Sequence, residues 1–266
     1  MIQQRNNIIW HKTNAALRLA LVKGVLNGSG NRILVNEYPK SGGTWPSKMI
    51  AEATGLTCPT HRLPTLGPCV MHGHFLTSTN LPKTVYVWRD GRDIAVSWYY
   101  HFVVGNQYTK PEAVQIVREA AGITDHENVA ESFPLALAYF LKGPRHPRFT
   151  WASFVDRWAD SDHLHVKYED LKADPVGELQ RLTLGLTGAP LEEARAQTIV
   201  DTHSFSKQAK REAGEEDSGN YLRKGIVGDW KNHFTLQTRE LFAKQAGAQL
   251  IKLGYESNDD WVRETS

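Results

Sequence analysis

The sequence places a lysine, two glycines and two hydroxyl side chains directly after a short apolar run. The run includes Ile33 to Val35, and residues 38–45 read YPKSGGTW. Glycine lets the backbone approach an anion without a Cβ clash, and successive N–H groups at a helix start point toward negative charge. Ser41 and Thr44 add hydroxyl donors. The stretch predicts a phosphate-binding loop, with an ordinary strand–helix turn as the alternative; its residues are Lys40, Ser41, Gly42, Gly43, Thr44 and Trp45.

Other residues along the chain are suited to binding a nucleotide. Arg89 follows an apolar segment, and Ser97 lies in the helix predicted after it, so a guanidinium and a hydroxyl are available to one phosphate. Arg223-Lys224-Gly225 again combines two cations with a glycine. Aromatic faces for a purine are offered by Trp45, Tyr168 and Phe205.

The position of the lysine argues against magnesium-dependent phosphoryl transfer. In the P-loop pattern G-x-x-x-x-G-K-[ST] the lysine follows the glycines, whereas Lys40 precedes them. No aspartate clearly ends a strand to hold magnesium. His72 and His74 are separated by one residue, but the sequence offers no third ligand at a suitable spacing. We therefore predict no metal.

Strand patterns alternate with helix patterns, which predicts an α/β fold with a parallel sheet. The predicted strands are Ile33–Tyr38, Thr84–Arg89 and Leu164–Tyr168. The predicted helices run from Pro46 to Thr54, from Ile94 to Phe102 and from Pro175 to about Leu186. Such sheets bind ligands beyond the carboxyl ends of their strands. Three of the candidate residues fall there: Lys40, Arg89 and Tyr168.

We expect a single domain over residues 31–258, with an N-terminal amphipathic helix and turn over 1–30 and a C-terminal tail over 259–266. The basic N-terminal helix either packs on the core or lies on a membrane surface. Two polar stretches, Gly105–Phe133 and Lys207–Asn220, are predicted as long loops, either lids over a ligand or solvated connections.

Composition narrows the class of protein. The 266 residues are 41% hydrophobic, which is enough for a large core, and the formal net charge of +2 argues against a nucleic-acid partner. The two cysteines, Cys58 and Cys69, argue against a disulfide framework, although a single bridge between them stays open. A reducing, cytoplasmic location is therefore expected.

Four blocks of the sequence resemble the cytosolic-type sulfotransferases, in the order and spacing of that family. They are YPKSGGTW, RDGRDIAVSWYYHF, YEDLKADP and RKGIVGDWKNHFT, and the resemblance extends from about Ile33 to Tyr255. It implies a parallel sheet wrapped by helices. It also implies transfer of a sulfuryl group from 3′-phosphoadenosine 5′-phosphosulfate (PAPS) to an acceptor hydroxyl or amine, with adenosine 3′,5′-bisphosphate (PAP) as product and no metal.

The resemblance implies roles for single residues as well. His74, in MHGHF, matches the family's catalytic histidine and would be the general base, while Lys40 would neutralise the bridging oxygen as the S–O bond breaks. Ser97 completes the expected catalytic set. The 5′-phosphosulfate would bind to residues 40–45, with Trp45 against the adenine. The remaining expected contacts are Arg89, Ser97, Arg223, Lys224 and Gly225 with the 3′-phosphate, and Tyr168, Ser204 and Phe205 with the adenine.

The sequence also departs from the family pattern. His72 stands where a lysine is usual, and Gly43 and His203 replace common threonines. None of these changes removes a proposed catalytic group. A short segment resembles the family's dimer motif with leucine for valine, which leaves monomer and homodimer open; its residues are Lys231, Thr235, Leu236 and Glu240.

Two other functions stay open at this stage. One is a P-loop-type small-molecule kinase, and the other is a nucleotide-binding module without turnover. The acceptor is a small molecule, a lipid or a glycan, since the aromatic and histidine side chains expected around it suit each of these.

Overall fold

The computed structural model describes residues 17, 20, 31–59, 67–76, 81–144, 147–212, 214–217, 220 and 223–264. The predicted N-terminal helix over 1–30 thus lies outside the described residues, except for Leu17 and Ala20, which are helical. The internal contacts of the chain divide it into two compact units. The described parts of the first fall within 31–37, 42–88 and 162–203, and those of the second within 38–41, 89–161 and 204–264.

The first unit contains a parallel sheet of four strands in the order β2-β1-β3-β4. The strands are β1 (Arg32–Glu37), β2 (Cys69–Gly73), β3 (Lys83–Trp88) and β4 (Leu164–Lys167). All three strand pairs are parallel, with Val35 opposite His72 and Glu37 opposite Val87. Because the strands run the same way, their carboxyl ends share one edge. The three predicted strands are confirmed to within one residue at each end.

The helices follow in chain order, and those predicted after β1, β3 and β4 are confirmed within a few residues. They are α1 (Thr44–Thr54), α2 (Gly91–Tyr99), α3 (Pro111–Ala121), α4 (Val129–Leu141), α5 (Trp151–Trp158), α6 (Tyr168–Ala173), α7 (Pro175–Thr187), α8 (Glu193–Thr202), α9 (Phe205–Ala209) and α10 (Leu236–Lys252). A π-helical turn (Tyr100–Val104) extends α2, and short 3-10 helices cover Asp229–Asn232 and Asp260–Val262. The predicted fold class, an α/β fold with a central parallel sheet flanked by helices, is confirmed.

Strand β2 lies where the sequence analysis predicts no strand. Its sequence, CVMHG, carries a histidine and a glycine that interrupt the apolar pattern. Pairing with the fully buried β1 nevertheless buries Cys69, Val70 and Met71. The consequence is functional, because His72 lies in this strand and His74 lies just past its end.

The core of the first unit forms where one face of the sheet meets α1, α7 and α8. Alternate strand residues such as Val35 and Val85 pack with Ile50 of α1 and Leu182 of α7, and each of these four is fully buried. Local signals set the helix ends. Gly55 ends α1 at φ +69°, and Asp174 caps α7 by accepting the N–H of Gly177 at 2.9 Å.

The second unit is built from helices around an aromatic core. Tyr38 contacts the edge of Phe140, and α10 contributes Phe242 next to the buried Trp261. The prediction of a loop over Gly105–Phe133 is wrong, because α3 and the start of α4 occupy it. Proline at the first helical position and two buried valines at a spacing of three, Val114 and Val117, stabilise α3.

Within the described ranges, no helix has both the length and the apolar character needed to cross a bilayer.

The packing of α7 on the sheet can be tested by truncating one buried leucine. Leu182→Ala should lower the free energy of unfolding by about 2–5 kcal/mol, because it leaves a cavity in a closed core. Leu184→Ala is the matched control, since this side chain on the same helix is 49% exposed. It should cost about 0.5 kcal/mol or less in urea denaturation. Equal losses in the two variants would contradict the assignment of the buried face.

Candidate functional site

The candidate residues are divided between the two units, and each group is described within its own unit. The first unit contains Gly42, Gly43, Thr44, Trp45, His74 and Tyr168. The second contains Lys40, Ser41, Arg89, Ser97, Ser204, Phe205, Arg223, Lys224 and Gly225.

The loop after β1 is a tight, internally hydrogen-bonded turn. The N–H and the hydroxyl of Ser41 both donate to the carbonyl of Tyr38, at 3.1 and 2.8 Å. Lys40 has φ +79°, a left-handed conformation that costs a residue with a Cβ about 1–2 kcal/mol. Such strain is typical of functional sites, where surrounding contacts hold it. Arg89 provides one of these contacts by donating to the carbonyl of Lys40 at 3.2 Å.

Gly42 allows an aromatic side chain to lie against this loop. Its φ is +91°, and a Cβ there would lie 2.7 Å from the ring of Tyr168. Trp45 meets the same ring edge to face, with centroids 6.2 Å apart. Two of the residues predicted to contact the adenine are therefore brought together in the first unit.

Gly43 contacts a carboxylate of the protein itself, which the sequence analysis missed. Its N–H donates to Glu37, the last residue of β1, and a Cβ at this position would lie 2.7 Å from the carboxylate. The other carboxylate oxygen lies 2.7 Å from Nε2 of His72. Only 1% of Glu37 is exposed. An acid at the end of a buried strand was the available signal, since charged residues are seldom fully buried without partners.

The pKa of Glu37 reflects competing effects. Burial alone would raise it, but the charge and hydrogen bond of His72, the charge of His74 and the N–H of Gly43 together hold the pKa below its usual value. The carboxylate is therefore ionised at neutral pH.

His74 contacts the same residue through the main chain. Its Nδ1 lies 3.0 Å from the carbonyl oxygen of Glu37. A carbonyl only accepts hydrogen bonds, so Nδ1 carries a proton, and in the neutral form of the ring the lone pair lies on Nε2. The ring meets that of His72 edge to face at 5.1 Å. His74 is thus held in a tautomer suited to accepting a proton at Nε2.

The fold brings a third candidate metal ligand, Glu37, next to the two histidines, which the sequence did not reveal. Glu37, His72 and His74 place one potential ligand atom each within 4.8 Å of one another. Both carboxylate oxygens of Glu37 already accept hydrogen bonds, from His72 and Gly43. We therefore interpret the cluster as a hydrogen-bonded network.

In the second unit, Arg89 is held by main-chain and side-chain acceptors. Besides Lys40, it donates to the carbonyl of Ile226 at 3.4 Å, and its guanidinium lies 3.8 Å from Asp93. Asp93 is itself buried and accepts the N–H groups of Gly228 and Trp230 at 2.8 and 2.9 Å. The segment after Gly225 is therefore fastened to α2, the helix on which Ser97 lies half-buried.

The predicted 3′-phosphate ligands Arg223 and Lys224 are paired with acids in this structure. Both bind Asp229, and Arg223 also binds Glu216 at 2.7 Å, while Lys224 lies 3.7 Å from it. Burial favours the neutral form of Asp229. Hydrogen bonds from His233, Arg223 and Lys224 outweigh this and hold its pKa well below the usual range. Glu216 belongs to the charged stretch predicted as a loop over Lys207–Asn220.

The glycine of the same motif makes room for a predicted adenine contact. Gly225 has φ +65°, and a Cβ there would lie 2.5 Å from the ring of Phe205. Ser204 precedes Phe205 as the N-terminal cap residue of α9. The structure thus brings Phe205 and Gly225 together.

His101 is a further residue that the sequence analysis missed. Burial, followed by the charge of Lys40, lowers its pKa to about 3. Its Nδ1 lies 2.7 Å from the amide nitrogen of Asn106 and so accepts a hydrogen bond. The imidazole therefore stays neutral at physiological pH in the electric field of Lys40.

The role of Asp93 can be tested by removing its carboxylate. Asp93→Ala leaves one buried and one partly buried N–H group without this acceptor and should lower the free energy of unfolding by about 2–4 kcal/mol. In Asp160→Ala, which removes a side chain that is 79% exposed and paired with Lys252, we expect a loss of about 1 kcal/mol or less. Urea denaturation of both variants measures the difference. Similar small losses would mean that Asp93 does not hold the 223–230 segment.

Comparison with known proteins gives consistent results. The family model described as the sulfotransferase domain matches residues 69–254, a range that begins at β2. Sulfotransferase 1E1 of Homo sapiens is 27% identical, covering 82% of this chain and 83% of the relative. Sulfotransferase 2B1 of Mus musculus is also 27% identical, with 84% of this chain and 72% of the relative covered. Mouse sulfotransferase SULT7A1, solved in complex with PAP, shares the fold with a TM-score of 0.62 and 22% identity over 86% of this chain and 88% of that one.

Proposed function

Because this chain belongs to the sulfotransferase domain family, we propose that it transfers a sulfuryl group from PAPS to an acceptor hydroxyl or amine and releases PAP. The observation that carries the proposal is the family match over residues 69–254, which includes the proposed base His74 and the proposed phosphate ligands Arg89 and Arg223. We also retain the proposal of one catalytic domain over residues 31–258.

PAPS binding would use the residues that the sequence singled out. The loop 40–45 would hold the 5′-phosphosulfate, and the edge-to-face pair of Trp45 and Tyr168 supports an adenine contact in the first unit. Arg89 and Ser97 would bind the 3′-phosphate together with the Arg223–Gly225 motif. Phe205, against Gly225, supports a second adenine contact. PAP in the mouse SULT7A1 complex is consistent with this choice of nucleotide.

Sulfuryl transfer requires a base for the acceptor proton, an acceptor atom in line with the S–O bond that breaks, and stabilisation of the leaving phosphate. PAPS, when bound, supplies the activated sulfuryl group. His74 would take the acceptor proton at Nε2, because its Nδ1 proton is engaged with the carbonyl of Glu37. Lys40 would stabilise the negative charge that develops on the bridging oxygen. The neighbouring His101 stays neutral, because burial and the charge of Lys40 lower its pKa to about 3.

The other functional classes have less support. A P-loop kinase requires the lysine after the glycines, and the family match favours sulfuryl over phosphoryl transfer. A nucleotide-binding module without turnover does not explain why a histidine is held in a base-competent tautomer.

The acceptor, partners and location are proposed more coarsely. Sulfotransferases act on small-molecule acceptors, and we propose one here, with lipid and glycan alcohols to be screened alongside phenols. We propose a cytoplasmic location, which the small number of cysteines supports. Contact of the N-terminal segment with a membrane surface and homodimerisation through Lys231, Thr235, Leu236 and Glu240 remain proposals.

Sulfate transfer from labelled PAPS to a panel of phenols, sterols and sugars tests the function directly. Activity should persist in EDTA, because no metal enters the scheme. His74→Ala should lower turnover by about 10²–10⁴-fold while PAP still binds in calorimetry. His126→Ala, a histidine outside the proposed site, is the control and should behave as wild type. Undiminished turnover in His74→Ala would remove this residue from the mechanism, and absence of PAP binding by the wild type would refute the proposed function.

Glu216 forms ion pairs with Arg223 and Lys224, the side chains that would bind the 3′-phosphate, so it should compete with the nucleotide for them. Glu216→Gln should tighten PAP binding by about two- to fivefold, the range for a partly exposed ion pair. The control, Glu215→Gln, removes the same charge one residue away and should leave the dissociation constant unchanged. Calorimetry at low salt measures both. Weaker PAP binding in Glu216→Gln would mean that Glu216 supports the site instead of competing for it.

A further inference from the structure

Glu37 contacts the proposed phosphosulfate loop, the proposed base and the neighbouring His72 with three different atoms. One carboxylate oxygen accepts the N–H of Gly43, the other lies 2.7 Å from Nε2 of His72, and the main-chain carbonyl lies 3.0 Å from Nδ1 of His74. We propose that Glu37 is a positioning residue for sulfuryl transfer, which holds the phosphosulfate loop through its carboxylate and the base through both its carbonyl and its charge. This inference rests on the proposed function.

The carboxylate of Glu37 is hydrogen-bonded to the loop that follows β1. The hydrogen bond from Gly43 to Glu37 closes the chain between β1 and α1 on itself. Since Glu37 is 1% exposed, water does not compete for this carboxylate. A charge-assisted hydrogen bond in such a place is stronger than one in solvent. The bond therefore holds the loop in its conformation before any nucleotide arrives.

The main-chain carbonyl of Glu37 orients the proposed base, His74. The carbonyl of Glu37 selects the tautomer of His74 with its proton on Nδ1 and its lone pair on Nε2. This carbonyl belongs to the last residue of β1, which is paired with Val87 of β3, so the sheet sets its direction. The imidazole is thus oriented by a rigid main-chain group.

The carboxylate of Glu37 also acts on His74 through its charge. The ionisable side chains that lower the pKa of Glu37 are His72 and His74, one bonded to the carboxylate and one acting through its charge. Coulomb interaction is mutual, so the carboxylate favours the imidazolium form of His74 in return. That form appears when His74 takes the acceptor proton. A buried carboxylate beside a general base is the arrangement that stabilises the imidazolium in serine hydrolases.

A purely structural role makes a different prediction. Glutamine has the same shape as glutamate, its carbonyl can accept from Gly43, and its amide can donate to a neutral His72. If Glu37 only holds the loop, Glu37→Gln should behave as wild type in every respect. If the charge also acts on His74, this variant should keep PAP binding and change the titration of His74.

The experiment compares Glu37→Gln and Glu37→Asp with wild type, and uses Glu178→Gln, which removes a partly exposed carboxylate paired with Arg181, as the control for removal of one negative charge. PAP affinity is measured by calorimetry. The titration of His74 is followed by NMR of labelled imidazoles, assigned from the spectrum of His74→Asn, with EDTA present throughout.

Opposite responses are expected from the two Glu37 variants. Glu37→Gln should bind PAP at least as tightly as wild type, while the midpoint of His74 falls by about one pH unit. Glu37→Asp keeps the charge but is one methylene too short to reach Gly43. It should leave the midpoint nearly unchanged and weaken PAP binding about three- to tenfold. Glu178→Gln should change neither quantity.

The outcomes separate the inference from the proposed function. A wild-type midpoint in Glu37→Gln would overturn the electrostatic role, and unchanged PAP affinity in Glu37→Asp would overturn the tie to the loop. If the wild type itself does not bind PAP, the proposed function fails instead. The nitrogen shifts of His74 in the wild type need no Glu37 variant, and a proton on Nε2 instead of Nδ1 would overturn the proposal even if Glu37→Gln does not fold.

Discussion

The parallel pairing of β1 with β2 on one side and β3 on the other is the constraint on which the rest of the first unit depends. It sets Val35 opposite His72 and carries Glu37, at the end of β1, to the same sheet edge as the residues that follow β2. The carboxylate, the two histidines and the loop after β1 meet at this edge because their strands end together. A shift of the register by one residue would turn these side chains to the opposite face.

Buried acids fasten the functional segments of both units to the fold. Glu37 accepts the N–H of Gly43 in the first unit, and Asp93 accepts the N–H groups of Gly228 and Trp230 in the second. The pKa values of the two carboxyls are shifted in opposite directions. Histidine charges lower the pKa of Glu37, whereas burial outweighs the charge of Arg89 and raises the pKa of Asp93. In each case the acid satisfies main-chain donors that would otherwise be buried without a partner.

Cations proposed to bind phosphate are likewise engaged by the protein's own groups. Arg223 and Lys224 pair with Asp229 and Glu216, and Arg89 donates to the carbonyls of Lys40 and Ile226. These contacts order long side chains in advance, which lowers the entropy that a nucleotide would have to offset on binding. Their acids also compete for the same cations. Affinity for the nucleotide is then a difference between two sets of charge-assisted bonds.

Local patterns in the sequence were sufficient for the three strands β1, β3 and β4, the helices after them and the glycine-rich loop, because apolar runs and capping residues act over a few neighbours. The same patterns predicted neither β2, whose burial comes from pairing with a strand distant in the chain, nor α3, whose starting proline and spaced valines are local signals that the loop prediction overlooked. The sequence explained the two glycines only by the approach of an anion. In the folded chain Gly42 also leaves room for Tyr168, and Gly43 leaves room for the carboxylate of Glu37. The residue types available for sulfuryl transfer were therefore determined by the sequence, whereas the tautomer of His74 and the ionised state of Glu37 were decided by tertiary structure. Both depend on hydrogen bonds between strands that are adjacent only in the sheet.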